Sequence, residues 1–275
     1  MLHPPGPIGV FDSGYGGLTI FQQLTKQLPE YDYIYLGDNA RNPYGIRSFD
    51  VVYHYTLECV RHLFDMGCNL VILACNTASA KALRTIQQRD LPELNGSRRV
   101  LGVIRPTTEV IGTYSRSGHV GIFATQGTVN SESYPIEIHK FFPDVKIYQE
   151  ACPMWVPLVE NNEYNTPGAD YFIKQHIDRL LEKSSEIDTI LLACTHYPLL
   201  AHKITKFLPP HIRLVSQGDI VARSLVQYLK KHPEMDARCT RQGLKIYYTT
   251  ESTDDFDAKA RIFLKDHVQA FHLQL

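Results

Sequence analysis

Two short runs of consecutive apolar residues dominate the pattern of the chain, and each ends in a cysteine. Val71-Ile72-Leu73-Ala74 leads into Cys75-Asn76-Thr77-Ala78-Ser79-Ala80, and Ile190-Leu191-Leu192-Ala193 leads into Cys194-Thr195-His196-Tyr197-Pro198. A short β-branched apolar run of this kind reads as a strand carried in a packed sheet. The small polar residues that follow suit the opening of a helix. Open α/β sheets bind their ligands beyond the carboxyl ends of the strands, so two such strands would present two thiols to one cleft.

The rest of the chain alternates in the same way. Ile8-Gly9-Val10-Phe11 predicts a strand ending at Asp12, and Ser13-Gly14-Tyr15-Gly16-Gly17 predicts a tight loop before a helix with Leu18, Ile20, Phe21 and Leu24 on one face. Such a loop suits an anionic group, although its glycine spacing matches neither the dinucleotide fingerprint nor the P-loop. Residues 32–36 predict a second strand, followed by a polar loop, 37–45, in which Pro43 restricts its own φ and biases Asn42 towards extended geometry. Helical periodicity runs from Ser48 to Phe64, a strand is expected over 69–74, and an alanine-rich helix over 77–88. Residues 90–99 read as a hinge, and 100–104 as a strand closed by Arg105-Pro106. His119 to Thr128 then echoes Gly9 to Gly14: a glycine-bearing strand, a polar loop, helices and a cysteine strand recur in the same order, as in an internal duplication. Lys146-Ile147-Tyr148 begins another strand, and the prolines within 151–160 predict an irregular segment lining the cleft. Further on come a helix over 169–181, strands over 187–193, 213–216 and 244–250, and helices over 218–229 and 256–264. The tail is expected to return to the first domain and complete its sheet. The resulting division is residues 1–99 with 213–275 as one α/β domain, carrying Asp12 and Cys75, and residues 100–212 as a second, carrying Glu160 and Cys194.

Composition narrows the chemistry. The 275 residues suffice for two modest domains, and 44% hydrophobic with 21% charged residues is ordinary for a globular protein. A formal net charge of −1 with scattered Lys and Arg gives no nucleic-acid footprint, and no apolar run approaches a membrane span of about 18 residues. Met1-Leu2-His3-Pro4-Pro5-Gly6-Pro7 lacks the charged and apolar regions of a signal peptide, so a cytoplasmic protein is expected. The six cysteines contain no C-x-x-C pair and are too few for a disulfide scaffold, and Cys59, Cys68 and Cys239 read as small buried apolar residues.

A free thiol titrates near pH 8.5, and cationic neighbours or a helix start lower that value, so cysteine serves as acid or base near neutrality with little tuning. Two thiols on opposite faces of a carbon acid could remove a proton from one side and deliver one to the other, inverting a stereocentre without a redox cofactor. His196, two residues beyond Cys194, and Asp12, at the tip of the first strand, are the candidate helpers; Asn76, Thr77 and Thr195 are candidates to hold a substrate's carboxylate and ammonium groups. Glu160, from spacing alone, reads as a solvated carboxylate. An amino-acid-binding protein with a two-domain cleft is the competing class, but it would need neither thiol. A redox protein is opposed by the lack of C-x-x-C, and a zinc protein by the lack of closely spaced Cys/His ligands.

Six ordered motifs carry a resemblance over nearly the whole chain. They are Gly-Val-Phe-Asp-Ser-Gly-x-Gly-Gly-Leu at 9–18, Gly-Asp-x-x-x-x-Pro-Tyr-Gly at 37–45, Ala-Cys-Asn-Thr-Ala-Ser-Ala at 74–80, Ala-Thr-x-Gly-Thr-Val at 124–129, Ala-Cys-Pro through Val-Pro-Leu-Val-Glu at 151–160, and Ala-Cys-Thr-His-Tyr-Pro-Leu-Leu at 193–200. Together they resemble the glutamate racemases, and fit these better than the related aspartate racemases. The resemblance implies two pseudo-symmetric α/β domains with mainly parallel sheets, the active site between them, and catalysis without pyridoxal phosphate or metal. It implies Cys75 and Cys194 as the acid/base pair, Cys75 acting on D-glutamate and Cys194 on L-glutamate. It also implies Asp12 and His196 as their assistants, and Glu160 as a further carboxylate near the second thiol. Asp12-Ser13, Pro43-Tyr44-Gly45, Asn76-Thr77 and Thr195-His196 match substrate-binding positions, with Thr125 and Thr128 as further contacts. A homodimer is expected, with glutamate as the small-molecule partner, and D-glutamate supplied to peptidoglycan synthesis. Two places depart from the pattern: Thr107-Thr108, where small residues are usual, and 161–167, which is longer than the usual turn.

Overall fold

The computed structural model describes residues 4–275; the reading of the N-terminus at Met1–His3 lies outside the described residues. Among the described residues, ten strands run in chain order: β1 Ile8–Asp12, β2 Tyr33–Gly37, β3 Leu70–Leu73, β4 Arg99–Gly102, β5 His119–Ala124, β6 Lys146–Ala151, β7 Thr189–Ala193, β8 Arg213–Ser216, β9 Lys245–Thr249 and β10 Ala270–His272. They form a six-stranded sheet of order β10-β9-β2-β1-β3-β4 and a four-stranded sheet of order β6-β5-β7-β8, and every pairing is parallel. The apolar runs follow from this. Every residue of β1, β2, β3 and β7 is buried, because helices cover both faces of each sheet.

The duplication holds to the residue. In the first sheet β2-β1-β3-β4 and in the second β6-β5-β7-β8 place the glycine strand beside the cysteine strand. Gly9 pairs with Val71 and Gly121 with Ile190, each partner lying four residues before its cysteine. The tail adds β9 and β10 to the first sheet outside β2, as expected of it.

The expected domain boundaries are displaced. β4 hydrogen-bonds to β3, and β8 to β7, so residues 99–102 stay with the first sheet and 213–216 with the second. The chain crosses after Gly102 and returns after Ser216, where the Gly218–Lys231 helix packs on the Leu18–Gln27 helix. Residues 103 and 104 are not strand; Ile104 opens a short helix to Thr108. Proline misleads the sequence reading at two further places. The expected hinge is helical from Leu91 to Asn95, with Pro92 in its first turn, and the expected irregular segment contains a helix, Trp155–Glu160. In both, the proline falls where a helix has no intrahelical use for an N–H. Among the described residues, no helix is long and apolar enough to cross a membrane.

Candidate active site

The carboxyl ends of β1, β3, β5 and β7 converge from the two sheets. β3 delivers Cys75, which lies two residues past the strand and caps the helix Asn76–Lys81, its sulfur accepting from Ala78 N–H at 3.4 Å. The thiol also lies 3.4 Å from Ser13 Oγ. Burial pushes Cys75 up to about 12, reinforced by the negative charge of Asp12 and opposed by the Ser13 and Ala78 contacts, so this sulfur is a thiol at neutral pH. Asp12 itself is fully buried at the tip of β1 and accepts from Gly14 N–H at 3.0 Å. Burial pushes its carboxyl up as well, against the pull of His196 and of the Gly17 and Gly14 N–H groups.

Across the cleft, Cys194 follows β7, and its sulfur lies 3.9 Å from His196 Nδ1. The other ring nitrogen, Nε2, is 2.8 Å from Glu160 Oε1. Both Glu160 oxygens also accept from Asn42 Nδ2, at 2.8 Å each. A relay therefore runs Asn42–Glu160–His196–Cys194. Burial works against a charged His196, but hydrogen bonds to Cys194 and Glu160 outweigh it and hold the imidazole well above its ordinary value. Glu160 moves the opposite way: burial would raise it, and His196, Asn42 and the charge of Lys259 bring it below the usual carboxylate range. The pair is an imidazolium held against a carboxylate, with the second N–H directed at a sulfur. Aromatic packing fixes it. Trp155, at the start of the Glu160 helix, stands edge-on to Tyr197 at 4.9 Å, Tyr197 OH donates to Cys152 O at 3.0 Å, and Phe263 meets the His196 ring edge-on at 5.8 Å.

Between the thiols lies a cavity lined from both sheets by Ser13, Pro43, Tyr44, Gly45, Cys75, Asn76, Thr77, Thr125, Cys194, Thr195 and His196. Hydroxyls meet across the cleft: Thr77 Oγ1 is 2.9 Å from Thr125 Oγ1, which is 3.1 Å from Thr128 Oγ1. Asp12, Thr128 and Glu160 do not line the cavity; they stand behind its wall, against residues that do. Glu160 is thus no solvated carboxylate, its side chain being only 16% exposed. Asn42, Ile46, Gln126, Cys152, Pro153, Val156 and Pro157 complete the lining and were not singled out as site residues by the sequence. Loop position alone could have marked Asn42, next to Pro43. Nothing in the local pattern marks the apolar ones. The cavity suits a small polar molecule with an apolar stem, and its opposed thiols suit proton transfer at a carbon held between them.

The Asp/Glu/Hydantoin racemase family matches the chain over residues 8–225. Glutamate racemase of Ruegeria sp. is 38% identical over 272 residues, covering 95% of this chain and 97% of that protein. Glutamate racemase of Persephonella marina is 39% identical over 246 residues, 89% of this chain and 88% of that one. Among solved structures, glutamate racemase isoform RacE1 from Bacillus anthracis superposes with a TM-score of 0.89 at 31% identity, covering 99% of each chain. Glutamate racemase from Francisella tularensis in complex with D-glutamate does so with a TM-score of 0.86 at 30% identity, covering 98% and 97%.

Proposed function

The chain belongs to the Asp/Glu/Hydantoin racemase family and is an amino-acid racemase, and on that premise we propose that it interconverts L- and D-glutamate by proton transfer between Cys75 and Cys194. The observation that carries the reading is the pair of buried thiols facing one small cavity from equivalent strand ends. With L-glutamate bound, the Cys194 thiolate takes the α-proton and becomes a thiol, leaving the electron pair on Cα and the adjoining carboxylate. The Cys75 thiol then gives its proton to the opposite face and becomes the thiolate, and D-glutamate leaves. The reverse direction begins at Cys75. No net electrons are exchanged, so no redox cofactor is needed, and the two thiols supply both the base and the acid.

The surroundings suit those roles. Burial keeps Cys75 protonated, as the acid of the L-to-D direction requires, and the imidazolium of His196 stabilises negative charge on the Cys194 sulfur. Ser13, Asn76, Thr77, Thr125 and Thr195, with the backbone around Pro43, Tyr44 and Gly45, supply the short polar groups that hold the substrate's charged ends. Asp12 stands by Cys75 as Glu160 stands by His196, and Thr128 backs Thr125. The D-glutamate formed would feed peptidoglycan synthesis in the cytoplasm, and the enzyme would act as a homodimer. The test is loss of optical rotation from pure L-glutamate, with L-aspartate in parallel. Turnover of glutamate is expected; turnover of aspartate alone would contradict the assignment.

Glu160→Gln gives a second prediction. The charged ring of His196 can support negative charge on the Cys194 sulfur only below its own pKa in the folded enzyme. Against burial, its hydrogen bonds to Cys194 and Glu160 hold that pKa well above the ordinary value, and the support is lost as pH rises through it. Removing the Glu160 charge lowers the folded value, so the loss begins at a lower pH. The basic limb of the kcat/KM–pH profile should move down, with about a 10-fold deficit near pH 8. An unmoved limb would show that Glu160 does not set the charge of His196.

A further inference from the structure

Reaching back from the cavity wall beside the first thiol, three buried side chains close a ring of hydrogen bonds, with a fourth attached to it, that the proton transfer does not use. Gln217 is 2% exposed, and its Oε1 accepts from Asn76 Nδ2 at 2.9 Å. Its Nε2 donates to Tyr134 OH at 2.6 Å and to Thr107 Oγ1 at 2.9 Å. Tyr134 OH in turn donates to Asn76 Oδ1 at 2.5 Å, so that Asn76, Gln217 and Tyr134 form a closed cycle in which each donates to the next. Thr107 is tied by its own hydroxyl proton to Val103 O at 3.0 Å.

The members come from four places whose relation decides the role. Asn76 follows Cys75 directly and lines the cavity. Thr107 stands just past the crossing from the first sheet to the second, and Gln217 stands at the return crossing. Tyr134 belongs to the helix Ser133–His139 of the second unit. Both crossings and both units are thus joined through one amide to the residue beside the first thiol. Thr107, a departure from the expected small residue, finds its reason here: its hydroxyl takes the Gln217 proton that the cycle leaves over. Thr108 takes no part, its hydroxyl donating instead to Arg105 O at 2.9 Å.

We propose that Gln217 is a positioning residue for the racemase: through the ring it fixes Asn76, and with it the turn that presents Cys75 and Asn76 to the substrate, in register with the two crossings. The proposal rests on the glutamate racemase reading. A buried amide network of this kind is strongly biased to one arrangement, because each unmade bond leaves a desolvated polar group without compensation. Losing the Gln217 amide frees the Asn76 side chain to turn, and a displacement on the order of 1 Å at a substrate-holding group costs about 100-fold at most.

The experiment compares wild type with Gln217→Leu, Thr107→Val and Tyr134→Phe, measuring kcat and KM for both enantiomers of glutamate together with Tm. For Gln217→Leu, KM should rise about 10-fold or more for both enantiomers while kcat changes less. Thr107→Val, which touches Asn76 only through Gln217, should have a smaller effect of the same kind and add nothing to Gln217→Leu in the double variant. A purely structural role would lower Tm and leave KM of the folded protein unchanged, and that result would overturn the proposal, as would additive losses in the double variant. If Gln217→Leu does not fold, Tyr134→Phe, which deletes a single oxygen of the cycle, carries the test, and a wild-type KM there would overturn the proposal equally. No glutamate turnover by wild type would overturn the substrate reading and the ring's role together; wild-type turnover with unchanged variant KM would remove only the ring.

Discussion

Removing either thiol, by Cys75→Ala or Cys194→Ala, is expected to abolish racemisation, with kcat/KM falling about 10²–10⁴-fold or further in each case. Both directions must fall together, because the two enantiomers are equal in free energy and the ratio of forward to reverse kcat/KM cannot leave unity. The asymmetry between the thiols appears instead in proton exchange. Serine is a far poorer base at the same place, so Cys194→Ser leaves only Cys75 able to remove a proton. That variant should exchange the α-proton of D-glutamate with solvent deuterium, from one face and without inversion, while L-glutamate stays protonated. Cys75→Ser should do the converse. Proton NMR of the α-position in deuterium oxide reads both at once. Exchange of both enantiomers by either variant would contradict one thiol per face, and full turnover by either alanine variant would end the two-base account.

A second large effect is expected from one methyl group on the loop after β1. A Cβ on Gly16 would lie 2.4 Å from both His196 Nδ1 and Thr195 Oγ1, closer than real Cβ atoms approach anything. The glycine lets the loop of one unit pack directly on the catalytic turn of the other. Nδ1 is also the nitrogen that faces Cys194, so the alanine must push the ring away from the sulfur or the loop away from Asp12. Gly16→Ala should therefore lower kcat/KM by about 100-fold, with KM and kcat both affected. Steady-state kinetics on folded variant protein checks it, and wild-type values would show that the units separate slightly without consequence for His196.

The strands are legible because each is a short apolar run bounded by small or polar residues, and the duplication because a glycine-bearing strand, a polar loop, helices and a cysteine strand recur in the same order; the matching register of the two halves comes only from the strand pairing. The crossings are harder to see. β4 and β8 read as the edges of new domains, but strand pairing is a contact between distant segments that no local pattern states. Pro92 and Pro157 read as interruptions because a proline in a helix's first turn and a proline in a loop look alike without the neighbours. Glu160 shows the same limit at the site. Its carboxylate is meaningful only with His196, 36 residues later, against one oxygen and Asn42, 118 residues earlier, against both. Gln217 carries no signal of its own; its role exists only where four separate segments meet.

The most direct measurement is racemisation of L-glutamate in deuterium oxide by dialysed, chelated protein without added pyridoxal phosphate, sampled at low conversion. Two opposed thiols predict that the D-glutamate formed carries deuterium at Cα while the remaining L-glutamate keeps its protium, because the proton lost to Cys194 and the one gained from Cys75 are different. D-glutamate that retains the original protium, or turnover that appears only when pyridoxal phosphate is supplied, would contradict it.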